Sequence, residues 1–461
     1  MSESFRTEHD TMGEVRVPLD ALYGAETQRA VENFPISGMR LGRPFLQALG
    51  LVKFAAARAN QQLGALPSPI ARAIETAARE VIDGRHDSQF VVDVFQTGSG
   101  TSTNMNANEV IATRATALLG HAGTTAAHPN DHVNRGQSSN DVFPTALHIA
   151  ATRIAHQTLL PAMNALHQAL DIKRQQFWGI LKIGRTHLQD AVPMRLGQEF
   201  SGYARQVELS QMRIRQALEG LYELPLGGTA VGSGLNAAPG FARAAIAIIG
   251  EQTGLPFREA QNHFEAQAAR DAVVFLSSAL KCYAIALTKI ANDVRWLGSG
   301  PRCGLGELHL PEVQPGSSIM PGKVNPVIAE SLLMVCAQVI GHDAAISWGA
   351  AAGAFELNTM MPLIAYDLLE SIELLAAASR NFAQRCIAGL EANQTRLRDT
   401  IEQSLALATA LTPEIGYERA AVLAKTAYES GRTIREVAEE QSGIPREKLA
   451  DLLDPMKMVG N

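Results

Sequence analysis

The sequence predicts a mainly α fold, in three regions, built around a central bundle of long helices. Alanine- and leucine-rich stretches with apolar residues at helical spacing run over residues 141–174, 195–222, 265–297, 326–350 and 358–390. In the third stretch Ala272, Phe275, Leu276, Ala279, Leu280, Tyr283 and Leu287 fall on one broad stripe. Helices of roughly 25 to 35 residues exceed the usual globular length, so they are expected to lie side by side. Small residues along the stripes allow close approach from several sides, and so much apolar surface suits a bundle shared between subunits.

A chain of 461 residues is too long for a single core. Residues 1–137 read as an N-terminal mixed helical domain, in which shorter helices alternate with turn-rich stretches such as PISGMRLGRP and QTGSGTSTNMN. Residues 138–392 hold the long helices and form the central domain. Within them, LPLGGTAVGSGLNAAPGFA (residues 224–242) is uncharged enough to test as a membrane span, but its five glycines and two prolines make it a loop. Residues 393–461 are more charged and read as a small C-terminal helical domain, broken by Pro413, Gly431, Gly443 and Pro445. Thr433 and Glu436 there have the spacing of a capping box. No internal repeat or low-complexity tract is evident.

Composition narrows the function. Charged residues make up 19% and hydrophobic ones 46%, which excludes a disordered chain. The formal charge of -6 and the lack of a basic tract speak against nucleic acid, so any anionic ligand must be met by local cations. The opening MSESFRTEHD is polar and lacks the apolar core of a signal peptide. Cys282, Cys303, Cys336 and Cys386 form no C-x-x-C pair and read as reduced, mostly buried thiols of a cytoplasmic protein. His128 and His132 in HPNDH lack the glutamate that zinc proteases place beside the first histidine, so no metal site is expected.

Four polar segments that are not charge-rich interrupt the helical text: GSGTSTNMN (98–106), HPNDHVNRGQSSND (128–141), GRTHLQD (184–190) and GSSIMPGKVNP (316–326). The last is no phosphate loop, because five residues separate Gly316 from Gly322 and Val324 stands where a hydroxyl would bind magnesium. Its Asn325-Pro326 reads as a helix start with Asn as the cap. At least three of the four segments are expected at helix N-termini, where free N–H groups and the dipole favour anions. Any one alone is commonly just a cap. Four together between hydrophobic helices are expensive unless something uses them, and their hydroxyls and amides, with Lys323 and His187, suit a small dicarboxylate.

GSSIMPGKVNP, with GRTHLQDA, QSSND and SGTSTNMN, resembles the fumarase/aspartase superfamily and within it the class II fumarases. The resemblance runs from YGAETQRA to PMKMVGN. It implies a three-domain helical subunit, a homotetramer with a bundle drawn from four chains, and active sites built from three subunits. It also implies a carbon–oxygen lyase of the tricarboxylic acid cycle that reversibly hydrates fumarate to L-malate, without metal or organic cofactor. Carried over by motif, Ser317 is the base that removes the carbon-bound proton and His187 the acid for the leaving hydroxyl. Glu330 matches the carboxylate that orients the histidine, and Lys323 matches both catalytic and substrate-binding positions. Ser99, Gly100, Thr101, Ser138, Ser139, Asn140, Thr186, Ser318, Val324 and Asn325 match further substrate-binding positions. His128, Pro129, Asn130 and Asp131 match a peripheral anion site.

Serine is a poor base unless its oxyanion is stabilised, and Gly316 with the N–H groups after it is expected to form a nest for that charge. Two other readings compete. An aspartate ammonia-lyase would perform the same carbanion chemistry with ammonia leaving, and a non-catalytic protein on the same scaffold would keep the fold alone. SSND in place of STND and a histidine at 187 favour the hydratase by resemblance. The intact set of Ser317, Lys323, Asn325 and His187 argues against the scaffold reading.

Overall fold

The computed structural model describes residues 4–120 and 126–460, so the start of MSESFRTEHD and the last residue of PMKMVGN lie outside the described residues. The chain opens with a hairpin in which β1 (Phe5–Asp10) pairs antiparallel with β2 (Gly13–Pro18). Arg6 pins the chain beyond it by donating to the carbonyls of Pro18, Ala21 and Tyr23. Next come α1 (Ala25–Asn33), α2 (Arg43–Gln62), α3 (Ser68–Ile82) and α4 (Thr101–Leu119). Then α5 (Ser139–Ile154) passes through a single π-helical stretch into α6 (Leu160–Gln176), so the expected helix over 141–174 is one continuous run. Pro144 lies inside α5, past the free N–H groups of its first turn, so the helix forgoes one backbone hydrogen bond there.

A second hairpin, β3 (Leu181–Thr186) with β4 (Gln189–Arg195), leads into α7 (Leu196–Leu221). The glycine-rich stretch 224–242 is largely loop, as its composition predicts, and ends at α8 (Phe241–Thr253). The helix expected over 265–297 is interrupted: α9 (His263–Ala268) stops at an extended Ala269 and α10 runs from Asp271 to Leu297. The other long helices are α11 (Val327–Ala351) and α12 (Met361–Arg385). The C-terminal part has α13 (Gln394–Gln403), α14 (Thr412–Ile415), α15 (Tyr417–Ser430), α16 (Ile434–Gln441) and α17 (Arg446–Leu452). Thr433 and Glu436 form the expected capping box on α16.

The chain divides into two compact units, one of Met1–Pro161, Met212–Ala284 and Ala337–Ala376, the other of Ala162–Gln211, Ile285–Cys336 and Ala377–Asn461. In the first, α2 packs against α3, α5 and α8 and is buried nearly all round. The rings of Phe45 and Phe143 meet at 4.6 Å between centroids. In the second, Ile183 of β3 packs into a cluster with Ile401, Leu411, Leu423, Val437 and Leu453, which roots the hairpin in the C-terminal helices.

The buried stripe of α10 follows Leu276, Leu280, Tyr283, Leu287 and Val294, and leaves out Phe275, which the sequence placed on it but which is 52% exposed. By length and composition alone α10 and α11 could cross a membrane; in the chain 50% and 33% of their most apolar windows are buried. Ile285, Trp296, Met334 and Trp348 project from them as large exposed apolar groups. Of the four free cysteines, Cys336 and Cys386 are buried, and burial pushes their thiols up to about 11 and about 12. Cys303 is exposed and Cys282 intermediate, so the expectation of mostly buried thiols holds for only half of them.

Glu80 of α3 accepts from Arg114 Nε and Nη2 at 2.8 and 3.0 Å and pairs with His86 at 2.7 Å. The Arg114 hydrogen bond above all lowers its pKa from 4.5 to about 2. A depressed carboxylate contributes stability above its unfolded pKa and loses it as pH falls through the folded one, here between about 4.5 and about 2. Glu80→Gln is therefore expected to lose roughly 2 kcal/mol at neutral pH and little near pH 2, read by urea unfolding at several pH values.

Candidate active site

The first unit brings two of the polar segments together. Gly100 precedes α4 with φ +75°, and a Cβ there would lie 2.0 Å from the Phe143 ring, so the position demands glycine. The flanking hydroxyls of Ser99 and Thr101 bond each other at 2.8 Å. One turn into α4, Asn104 Nδ2 donates to Ser139 Oγ at 3.1 Å and joins this loop to the QSSND turn. Ser138 caps α5 in a capping box with Asp141: Asn140 N donates to Ser138 Oγ at 3.3 Å and Ser138 N to Asp141 Oδ1 at 2.9 Å. Asp141 Oδ2 accepts from Gly227 N and Thr229 N, both at 2.9 Å, and Asn140 Nδ2 donates to the Ala230 carbonyl at 2.8 Å. Burial raises the Asp141 carboxyl to about 6 against these hydrogen bonds.

Upstream, His128 caps the π-helical turn Pro129–Val133, its Nδ1 accepting from Asn130 N and Asp131 N at 3.3 and 3.1 Å. An accepting Nδ1 leaves the proton of the neutral ring on Nε2. His132 Nδ1 likewise accepts from His128 N at 2.8 Å. The four residues assigned to the peripheral site thus form one exposed turn.

The second unit holds the other two segments. GRTHLQD is not a helix start but the tip of the β3–β4 hairpin. Thr186 pairs with Gln189, leaving His187 and Leu188 as a two-residue loop with φ of 56° and 60°. Thr186 and His187 are exposed there. The strand behind them is fixed by charge: Arg185 Nη2 donates to Glu307 Oε1 at 2.5 Å, and Lys182 reaches Glu199 at 2.9 Å and Glu307 at 3.3 Å. Lys182 and Glu307 are essentially inaccessible to solvent.

In the loop before α11, Ser317 Oγ accepts from Ile319 N at 3.2 Å and Met320 N at 2.9 Å. The expected nest therefore exists without Gly316, whose own N–H donates to the Lys323 carbonyl at 2.7 Å. A Cβ on Gly316 would lie 2.7 Å from that carbonyl oxygen. Asn325 does not cap the helix as its sequence suggests. Its Nδ2 donates to the Gly316 carbonyl at 2.7 Å and its Oδ1 accepts from Lys323 Nζ, so the side chain closes the loop and α11 begins at Val327. Ser318 and Val324 are exposed on the same loop, and Glu330 sits half-buried in the first turn of α11. Among the described residues no hydrogen bond or ion pair of one chain joins His187 to Ser317, Lys323 or Glu330.

A family model described as Lyase matches residues 13–341, which contain every candidate site residue, and one described as Fumarase C C-terminus matches residues 407–460. A "Fumarate hydratase class II" of Mycobacterium tuberculosis is 58% identical over 444 residues, covering 96% of this chain and 93% of that protein. The chain belongs to the class II fumarate hydratase family. A second fumarate hydratase class II, from Halobacterium salinarum, is 55% identical over 460 residues, 100% of this chain and 98% of that protein. The crystal structure of a class II fumarase from Schistosoma mansoni superposes with a TM-score of 0.96 at 41% identity, covering 99% of both chains. Family membership and the mainly α fold are as the motifs implied.

Sequence reasoning missed Asp141, Asn104, Arg185 and Glu307. Asp141 had a signal, because Ser138 and Asp141 have capping-box spacing. Glu307 had none, since it meets Arg185 across 122 residues of chain. Glu307→Ala would leave Arg185 without its buried counter-charge and Lys182 with Glu199 alone, and is expected to destabilise the protein by about 3 kcal/mol, read as a lowered denaturant midpoint.

Proposed function

We propose that this chain reversibly hydrates fumarate to L-malate, by anti addition and elimination of water through an aci-carboxylate intermediate. The observation that carries the reading is Ser317, whose Oγ accepts two backbone N–H bonds beside Lys323 and Asn325. An oxygen so held can carry negative charge more cheaply than a free hydroxyl and so can act as a base. The hydratase names of the relatives above favour water over ammonia as the leaving group.

In the dehydration of L-malate Ser317 takes the proton from the carbon beside one carboxylate, and the electron pair moves into that carboxylate. The extra charge is met by Lys323, Asn325 and the N-terminus of α11. His187, oriented by Glu330, gives a proton to the hydroxyl on the neighbouring carbon, which departs as water on the opposite face while the electron pair returns from the carboxylate to form the carbon–carbon double bond. Ser99, Gly100, Thr101, Ser138, Ser139, Asn140, Thr186, Ser318 and Val324 hold the two carboxylates and the hydroxyl. His128, Pro129, Asn130 and Asp131 form a peripheral anion site. No step calls on a metal or organic cofactor.

The reading places the chain in the cytoplasm, in the tricarboxylic acid cycle, as a homotetramer of three-domain subunits whose sites draw on three chains. Two features support the assembly: the exposed apolar side chains on α10 and α11, and the lack of any bond from His187 to Ser317 or Glu330 among the described residues of one chain. Such helices are better covered by copies of themselves than by water.

Ultraviolet absorbance is expected to report fumarate from L-malate, with or without a chelator, and none from L-aspartate; fumarate from aspartate alone would overturn the reading. Ser317→Ala is expected to lower kcat by about 10² or more while the oligomer persists. Co-refolding Ser317→Ala with His187→Asn chains is expected to restore part of the activity, and its absence would remove the shared site.

A further inference from the structure

Lys53 lies midway along α2 and has no solvent-exposed surface. Burial pushes its pKa down to about 7, opposed by the carboxylate of Asp141. A core excludes such a group unless its protons have acceptors. Its Nζ donates to Asn134 Oδ1 and to Gln137 Oε1, each at 3.0 Å. Both acceptors belong to the turn that delivers Ser138, Ser139 and Asn140 to the site.

An ammonium group has donors only, so it decides which way round each neighbouring amide stands. With Oδ1 turned to Lys53, and accepting also from Asn104 at 3.3 Å, the Asn134 amide nitrogen faces the Gln137 carbonyl and donates to it at 3.2 Å. With Oε1 turned the same way, the Gln137 amide nitrogen donates to the Val133 carbonyl at 3.0 Å. Both bonds close the turn on itself, and the first of them fixes the peptide that enters Ser138. Asn60, two turns further along α2, donates to the Arg135 carbonyl at 2.9 Å and seats the same turn from its other side. Asp141, the acidic group acting on Lys53, is occupied by backbone N–H donors of Ser138, Gly227 and Thr229. Lys53 therefore serves the turn rather than a direct ion pair.

We infer that Lys53 is a positioning residue for substrate binding: by polarising Asn134 and Gln137 it sets the turn that aims Ser138, Ser139 and Asn140 at a substrate carboxylate. The inference rests on the reading of residues 138–140 as substrate contacts. Lys53 does not touch the substrate, so its removal acts on affinity more than on the proton transfers.

Lys53→Met keeps the unbranched apolar stem of the side chain and deletes the ammonium donors. Steady-state kinetics with L-malate are expected to show KM raised about tenfold with kcat within about threefold, because a contact common to ground and transition state is loosened. Gln137→Met, at a half-buried position of the turn, is expected to raise KM as well, and the double variant to be no worse than Lys53→Met, since both cut one clamp. Asn140→Ala tests the underlying reading separately. If it raises KM while folded Lys53→Met and Gln137→Met do not, the inference about Lys53 is overturned and the reading of the segment stands. If Asn140→Ala leaves KM unchanged, both fall. Should Lys53→Met not fold, Gln137→Met decides alone, and an unchanged KM or a loss confined to kcat overturns the inference.

Discussion

The candidate site of the first unit depends on one buried carboxylate. Asp141 accepts N–H bonds from Ser138, Gly227 and Thr229, and so ties the start of α5 to the glycine-rich loop that follows residue 224. These donors are the ones a helix start and a tight loop leave open, and the fully buried Asp141 carboxylate satisfies them. One group therefore solves two backbone problems at once. It does so by holding a charge where charge is disfavoured, which is why its carboxyl sits at about 6. Asp141 thereby fixes the segment in which Ser138 Oγ caps α5, Ser139 Oγ accepts from Asn104 and the Asn140 amide donates to the Ala230 carbonyl.

The second unit uses the same economy with other parts. Glu307 and Lys182 are buried so that β3 cannot slide, and the hairpin then carries Thr186 and His187 out to its tip. The loop before α11 is braced by Asn325 and Lys323 against Gly316, so that Ser317 is fixed while Ile319 is 84% exposed. Rigid anchors behind the candidate groups are what preorganised chemistry needs. The large apolar groups outside α10 and α11 belong to a different scale, that of the proposed assembly.

How much of this was legible in the sequence depended on range. The long helices were readable because a 3.6-residue period repeats over many turns, and the capping box at Thr433 because its partners lie three residues apart. The break at Ala269 and the outward turn of Phe275 were not, because both follow from what α10 packs against and not from its own pattern. Both hairpins went unread: β1–β2 is short and polar, and GRTHLQD has neither Asn-Gly nor Asp-Gly, although its His-Leu pair adopts positive φ. Asn325 misled for an instructive reason. Asn-Pro does mark the helix start, yet a carbonyl nine residues earlier and a neighbouring lysine compete for the same side chain and win. The motifs located every candidate residue, whereas the groups that hold them, such as Glu307 and Lys53, were hidden by separation along the chain.

The loop ahead of α4 has a consequence for inheritance. A Cβ at Gly98 would lie 1.7 Å from the Thr359 carbonyl oxygen, and one at Gly100 would lie 2.0 Å from the Phe143 ring. Every single-base change in a glycine codon that alters the amino acid installs a Cβ, so neither site has a tolerable missense neighbour. This short stretch is closed to gradual drift, and a gene carrying such a change could regain a working product only by reversion or by a simultaneous change in what the new atom strikes.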